Sequence, residues 1–131
     1  MKFVHTLILL LFLSPCVFAQ QQDKPMEMWE RAEAEADRLQ RVLELEDWQV
    51  FYVDSTLKHD FQELMTEIEK LQAAKVANSS MYIAVQDKWM EKIDETYRRI
   101  FTDAQWAAYL KTGAGKAQKA REKRKTQAAG K

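Results

Sequence analysis

The sequence predicts an all-α protein, and three of its features support that fold class. Apolar residues recur in alternating steps of three and four through most of the chain, which is the spacing of one face of an α-helix. No segment alternates apolar and polar residues as a half-buried strand does. Two short segments carry the residue pattern of a helix start, and they divide the chain into helices of unequal length.

The amino terminus has the composition of an export signal. The chain of 131 residues begins with MKFVHTLILLLFLSPCVFAQ, in which a basic start precedes an apolar run and small residues. We therefore expect a signal peptide over residues 1–19, cleaved after Ala19, and a short polar lead over residues 20–24. Cys16 is an alternative site for a lipid anchor, but the proline before it does not suit lipoprotein processing. If Cys16 leaves with the signal, the mature chain has no cysteine and no disulfide.

Three helices are expected after this lead. Pro25 suits the first turn of a helix, because its missing N–H is not needed there. Asn78 opens an Asn-Ser-Ser sequence whose side chains cap helix starts, so the chain is expected to reverse there. The second and third helices then form a long antiparallel hairpin with flanking helices. The apolar stripes of the three helices are Met26, Trp29, Ala32, Ala36, Leu39, Leu43, Val50, Val53, Leu57, Phe61, Leu64, Ile68, Leu71, Val85, Trp89, Ile93, Tyr97 and Ile100.

A further helix start lies near the carboxyl end of the chain. Thr102 and Gln105 form a capping box: the Thr102 hydroxyl can accept from the Gln105 backbone N–H, and the Gln105 side chain from the Thr102 backbone N–H. Phe101 and Trp106 flank the box as a hydrophobic staple, a pair of apolar residues that fixes the entry angle of the chain. One helix therefore ends and another begins here without a glycine.

The same pattern occurs upstream, before the long second helix. Gln49 is the residue that reaches back, and Glu46 stands where the other box has threonine. Leu45 and Val50 are the corresponding staple. The pattern predicts that the second helix begins immediately after Glu46.

These two boxes carry a family resemblance. Residues 45–49 and 101–105 resemble the paired LTxxQ motifs of the Spy/CpxP family, with Glu46 in place of threonine and Phe101 in place of leucine. The resemblance spans about residues 26–110, and a helical domain is expected over residues 25–112. It implies a cradle-shaped helical homodimer of the periplasm that acts as an ATP-independent chaperone, a stress-response regulator or a metal-responsive sensor.

On this basis we expect an exported chaperone-like protein that reversibly binds unfolded or envelope proteins on an amphipathic helical surface. One alternative is an envelope stress sensor or adaptor that binds one specific partner or a metal. Another is a structural coiled-coil component, since the second helix has the length and regularity that coiled coils use. The partners expected are unfolded or envelope proteins and a second copy of the chain.

Charge is distributed unevenly along the chain. Residues 23–110 contain 11 Lys and Arg against 19 Asp and Glu, whereas residues 111–131 contain eight Lys and Arg and one acid, Glu122. We expect Gly113 and Gly115 to end the ordered domain, followed by a basic tail over residues 113–131 that is flexible or a frayed helix. Such a tail can touch anionic surfaces. An exported protein gives no reason to expect a nucleic-acid partner.

Aromatic residues are dense, and two interpretations of them remain open. Most of the rings can fill a thin helical core, or some can line an open surface for a client or a second copy. A small helical domain cannot bury every ring in a single chain. The candidates for such a surface are Trp29, Trp48, Phe51, Tyr52, Phe61, Trp89 and Trp106.

Neither a metal site nor an active site is expected. His59 and Glu63, one helical turn apart, are candidate metal ligands, but a single histidine with carboxylates is more typical of a solvated helix face. No pattern of nucleophile, acid–base pair or phosphate-binding glycine loop supports catalysis. We therefore expect no cofactor and no enzymatic activity.

Overall fold

The all-α fold class is confirmed. The computed structural model of the protein describes residues 27–130, and over that range the chain is helical with no strand. The signal peptide expected over residues 1–19, the lead over residues 20–24 and Cys16 all lie outside the described residues. No helix within residues 27–130 is both long and apolar enough to cross a membrane.

Five α-helices and one short π-helical segment make up the described chain. In chain order they are α1 (Met28–Leu43), α2 (Asp47–Ala73), α3 (Ser79–Ile100), α4 (Asp103–Tyr109), the π-helical segment Leu110–Ala114, and α5 (Gly115–Ala129).

Side-chain and backbone caps set the helix boundaries. α1 begins at Met28, because the Glu27 backbone is extended (ψ 150°) and its N–H donates to the Glu30 carboxylate at 2.9 Å. Pro25, where the sequence predicts the first turn, lies outside the described residues. α3 begins where the sequence predicts, since the Asn78 side chain accepts from the Ser80 backbone N–H at 3.0 Å.

α2 and α3 pack along each other in opposite directions. Gln49, near the start of α2, contacts the carbonyl of Ile100 at the end of α3, and Glu67 pairs with Lys88 farther along. We call the end of the molecule where α2 begins and α3 ends the base, and the turn between the two helices, residues 74–78, the tip. α1 and α4 also pack together at the base.

The core lies at the base and thins toward the tip. Its buried residues are Ala32, Ala36, Leu39, Leu43, Leu45, Val53, Leu57, Ile93, Tyr97, Phe101 and Tyr109. Leu64, Ile68 and Leu71, which continue the apolar stripe of α2, are only partly buried. The reason is the length of α1, which has 16 residues against the 27 of α2 and covers only the base half of its partner.

The carboxyl-terminal segment differs from the flexible or frayed tail expected over residues 113–131. Gly113 has a positive φ of 101° inside the π-helical segment, and the chain then continues as α5 to Ala129. α5 lies along α3, held by ion pairs from Arg121 to Asp94 and from Arg124 to Asp87. The glycines therefore mark a bend between two helices, and charge pairing replaces the apolar contacts that α5 lacks.

Candidate functional site

Two helix starts meet at the base. At the start of α4, the Gln105 backbone N–H donates to the Thr102 hydroxyl at 3.2 Å, and the Thr102 N–H donates to the Gln105 side-chain oxygen at 3.0 Å. At the start of α2, the Glu46 N–H donates to the Gln49 side-chain oxygen at 2.9 Å. The Glu46 carboxylate accepts from the Gln49 backbone N–H, which completes the box, and also from the indole N–H of Trp48.

The glutamines of the two boxes bind each other. The Gln49 amide nitrogen donates to the Gln105 side-chain oxygen at 2.6 Å, and the Gln105 nitrogen donates back at 3.1 Å. Each also reaches the backbone just before the other box: Gln49 donates to the Ile100 carbonyl at 2.9 Å and Gln105 to the Glu44 carbonyl at 3.5 Å. Buried amides are stabilising when their donors and acceptors are satisfied in this way, so the two boxes form one joint.

Aromatic rings pack beside this joint. Tyr97 stacks on Phe101 with ring centroids 5.0 Å apart, and Tyr109 meets both rings edge-on at 5.3 and 5.8 Å. Trp106 lies 5.5 Å from Tyr109. Burial raises the pKa of the Tyr97 and Tyr109 phenols well above the usual range, because the charged phenolate is poorly solvated there. The staple residues Phe101 and Trp106 are thus joined through Tyr109.

A buried carboxylate attaches α5 to α3. Asp94 accepts from the Tyr109 hydroxyl at 2.7 Å and from the Gln118 side chain at 3.1 Å, and it pairs with the buried guanidinium of Arg121. Both members of the ion pair are buried, with 8% of Asp94 and 7% of Arg121 exposed. A buried charge of this kind requires its partner, so the cluster orients α5.

An exposed aromatic patch lies on the first turns of α2. We define the patch as Trp48, Phe51 and Tyr52, which are 50%, 67% and 51% exposed. The rings contact one another edge-on, with centroids 6.2 Å apart for Trp48 and Tyr52 and 5.8 Å for Phe51 and Tyr52. Exposed large apolar side chains in contact with one another are typical of interaction surfaces.

The other aromatic candidates are placed differently. Trp29 is half-exposed on α1, with the Lys58 ammonium 5.9 Å from its ring centroid. Phe61 and Trp106 are partly buried against the core. Trp89 is only 6% exposed, its indole N–H donates to Glu67 at 3.2 Å, and it therefore belongs to the contact between α2 and α3.

An apolar groove of about 600 Å³ opens between α1, α2 and α3. It begins at Met28, where α1 starts, and runs past Phe61 and Met65 of α2 to Met90 of α3. Arg31 and Glu35 of α1 also line it. Methionine side chains adapt to differently shaped apolar partners, so the groove can accept more than one apolar surface.

A second, more polar groove lies beside the aromatic patch. It has a volume of about 350 Å³ and lies between α1 and α2. Its charged residues are Glu33, Asp37, Asp47, Asp54 and Lys58. Phe51 belongs both to this acidic groove and to the patch, so the two surfaces are continuous.

The candidate metal ligands do not form a cluster. The His59 ring is exposed, and its Nδ1 lies 2.8 Å from the carboxylate of the neighbouring Asp60. Across residues 27–130 no group of three or more His, Cys, Asp and Glu side chains could hold a metal ion.

Comparisons of the chain with protein-family models, with curated proteins and with solved structures gave no match. The Spy/CpxP resemblance therefore stays a prediction that rests on residues 45–49 and 101–105. Sequence reasoning identified both boxes but not their contact, because a capping box is a local pattern. The Asp94 cluster was not predicted from the sequence either. The pattern that could have indicated it is the matching spacing of acidic residues on α3 and basic residues on α5.

Proposed function

We propose that the protein is an exported, ATP-independent, chaperone-like protein that reversibly binds unfolded or envelope proteins. The observation that carries the proposal is the aromatic patch, in which three contacting rings are each about half-exposed or more. An unfolded client exposes apolar segments, and these can bury area against Trp48, Phe51 and Tyr52. Apolar burial contributes about 25 cal/mol per Å², so a few rings give weak and reversible binding.

The charges around the patch support reversible binding. Asp47 and Glu46 are exposed next to Trp48, and Asp54 follows Phe51 on the same helix. Such charged neighbours keep the rim of a contact hydrated and limit its area. Holding of this kind lowers aggregation by mass action on the unfolded client and requires no nucleotide.

The proposal includes a cradle-like homodimer built on the long helical hairpin of α2 and α3. The apolar groove at Met28, Phe61, Met65 and Met90 is the surface that supports this part, because a second copy would cover apolar side chains left open on the single chain. We place the protein in the periplasm on the composition of residues 1–19.

The test is light scattering of two unrelated denatured proteins diluted into buffer without nucleotide. The mature chain from Gln20 should lower scattering for both at near-stoichiometric ratios. Phe51→Ser with Tyr52→Ser should lose most of that effect, whereas Gln62→Ser with Gln86→Ser, at exposed positions outside the patch, should keep it. Unchanged scattering with the wild-type chain for both clients would overturn the proposal.

An envelope stress adaptor is the second candidate function. The observation that favours it is the edge-on packing of the rings of the patch beside an acidic groove, a combination that suits one defined partner. An adaptor would leave scattering unchanged and would crosslink to a single envelope protein through the patch. A structural coiled-coil component would instead self-associate tightly and bind no client.

A further inference from the structure

The acidic groove beside the aromatic patch has an excess of negative charge. Four carboxylates line it, two on α1 and two on α2, and Lys58 is the one cation among its described lining residues. Lys58 is already occupied, since its ammonium donates to Glu33 at 3.0 Å and to Asp54 at 2.9 Å. These hydrogen bonds raise the pKa of Lys58, so it remains charged and bound to those two acids.

Two of the four carboxylates in the groove have no cation from residues 27–130. Asp37 and Asp47 are exposed and take part in no ion pair within residues 27–130. One carboxylate oxygen of Asp54, Oδ1, is shielded from solvent and accepts no hydrogen bond from the described chain. The protein itself covers that oxygen, so Asp37 and Asp47 are the carboxylates that a cation from a partner can reach.

We propose that the acidic groove and the aromatic patch together bind one basic, apolar polypeptide segment. Lysine or arginine side chains of the segment enter the groove at Asp37 and Asp47. Its apolar side chains lie on the rings of Trp48 and Phe51. The inference rests on the proposed function and names the class of client segment that the surface selects.

Charge complementarity argues for this occupant over an acidic one. An acidic segment would meet like charges at the groove, which costs free energy at short range. A cation near the patch also gains from the face of an aromatic ring, and Lys58 over the Trp29 ring already shows that arrangement nearby, at 5.9 Å.

The basic helix of a second copy fits the groove less well. The outward face of α5 presents Lys116, Lys119 and Lys123, which are exposed and make no ion pair in the described chain. The apolar residues between them are alanines, such as Ala117 and Ala120. That face could neutralise the carboxylates but would leave the aromatic rings uncovered.

The experiment uses two fluorescein-labelled peptides of the same length, with leucine at the same positions in both. All remaining positions are lysine in one peptide and glutamate in the other. Fluorescence anisotropy with the mature chain should give an affinity for the lysine peptide about tenfold higher than for the glutamate peptide at low salt. The difference should shrink as salt is added, because exposed charges are screened.

Two variants locate the binding site. Asp37→Asn with Asp47→Asn should weaken binding of the lysine peptide about threefold to tenfold, since each exposed pair contributes little alone. Glu69→Gln with Glu95→Gln, which removes the same charge from exposed positions outside the groove, should leave binding within about twofold.

The outcomes separate this inference from the proposed function. If scattering falls but both peptides bind equally, chaperone activity stands and the charge-selective groove is wrong. The triple variant Lys116→Glu, Lys119→Glu and Lys123→Glu tests whether α5 of a second copy fills the groove. If the lysine peptide binds only to this variant, and the variant is monomeric, a second copy occupies the groove and the inference is overturned. Selective binding without any fall in scattering supports the groove and counts against the broader function.

Discussion

The side-chain amides of Gln49 and Gln105 hydrogen-bond to each other across 56 residues of sequence. Each glutamine also caps its own helix and reaches the backbone before the other box. The joint therefore holds together four segments of the chain: the end of α1, the start of α2, the end of α3 and the start of α4. Loss of the joint should therefore weaken the packing of all four segments.

Gln49→Ala should destabilise the protein by about 2–3 kcal/mol. The substitution removes bonds to Gln105, to the Ile100 carbonyl and to the Glu46 N–H, and it leaves buried groups without partners. Urea unfolding followed by far-UV circular dichroism measures the change. Gln62→Ala, at an exposed position of the same helix, is the matched control and should change stability by less than about 0.5 kcal/mol. Equal effects of the two variants would show that the joint does not stabilise the fold.

Asp94→Asn should be more costly than the same change at Asp87. The first leaves Arg121 buried without a countercharge, and removal of one partner from a buried pair costs about 3–5 kcal/mol. The second breaks a partly exposed pair with Arg124, which is screened by solvent and is expected to contribute little to stability. Hydrogen exchange of α5 should speed up in Asp94→Asn and change little in Asp87→Asn. Similar exchange rates in both variants would mean that α5 is held by the exposed pairs.

The stability of the protein should respond differently to loss of the hydroxyl at each of the two buried tyrosines. The Tyr97 hydroxyl is buried without a hydrogen-bond partner in the described chain, so Tyr97→Phe should be neutral or slightly stabilising. Tyr109→Phe loses a bond to the Asp94 carboxylate and should cost about 1.5–3 kcal/mol. Thermal or urea unfolding of the two variants side by side measures the difference. A loss of stability in Tyr97→Phe equal to that in Tyr109→Phe would contradict the packing described here.

Stability should fall at alkaline pH because of these same groups. Burial raises the pKa of both phenols, and for Tyr109 the hydrogen bond to Asp94 adds to the effect. Above the unfolded tyrosine pKa of about 10, the unfolded chain releases protons that the folded chain retains, so the free energy of unfolding decreases as pH rises. The double variant Tyr97→Phe with Tyr109→Phe should show a shallower decrease between about pH 9 and pH 11. Tyr52→Phe, at an exposed ring, is the control, and identical slopes for wild type and double variant would refute the assignment.

Gly113→Ala should destabilise the protein by about 1–2 kcal/mol through the backbone alone. Gly113 has a φ of 101°, which L-residues rarely adopt, while nothing lies within 4 Å of an added Cβ. Gly130→Ala, at a glycine with negative φ at the end of α5, is the control and should change little. If Gly113→Ala is as stable as the wild type, the bend before α5 does not depend on this conformation.

The helices and many of the residues that they bury were predicted from the sequence, because both follow from local spacing. Ala36, Leu39, Val53 and Leu57 recur at helical intervals, and they are buried. The capping residues were likewise readable, since a cap involves residues three positions apart. Patterns of this range determine where helices begin but not which helix ends meet.

What could not be predicted depends on contacts between distant segments. The pairing of Gln49 with Gln105 depends on how the helices α1, α2, α3 and α4 pack against one another. No local pattern in the sequence specifies that packing. The packing of α5 against α3 was not predicted, because every α5 side chain larger than alanine is polar or charged. The spacing of apolar residues gives no information about where such a helix packs. Arg121 and Asp94 gain their importance from burial, which is visible only once the helices are assembled.

The distance from the base to the tip does not depend on the Gln49–Gln105 joint. The Gln49–Gln105 joint lies at the base, whereas the tip is a full α2 away, about 40 Å for 27 residues at ~1.5 Å each. Whole turns can be added to or deleted from α2 and α3 together without altering any hydrogen bond of the joint. The reach of the tip from the base can therefore change by whole helical turns, while the hydrogen-bonded joint at the base remains the same.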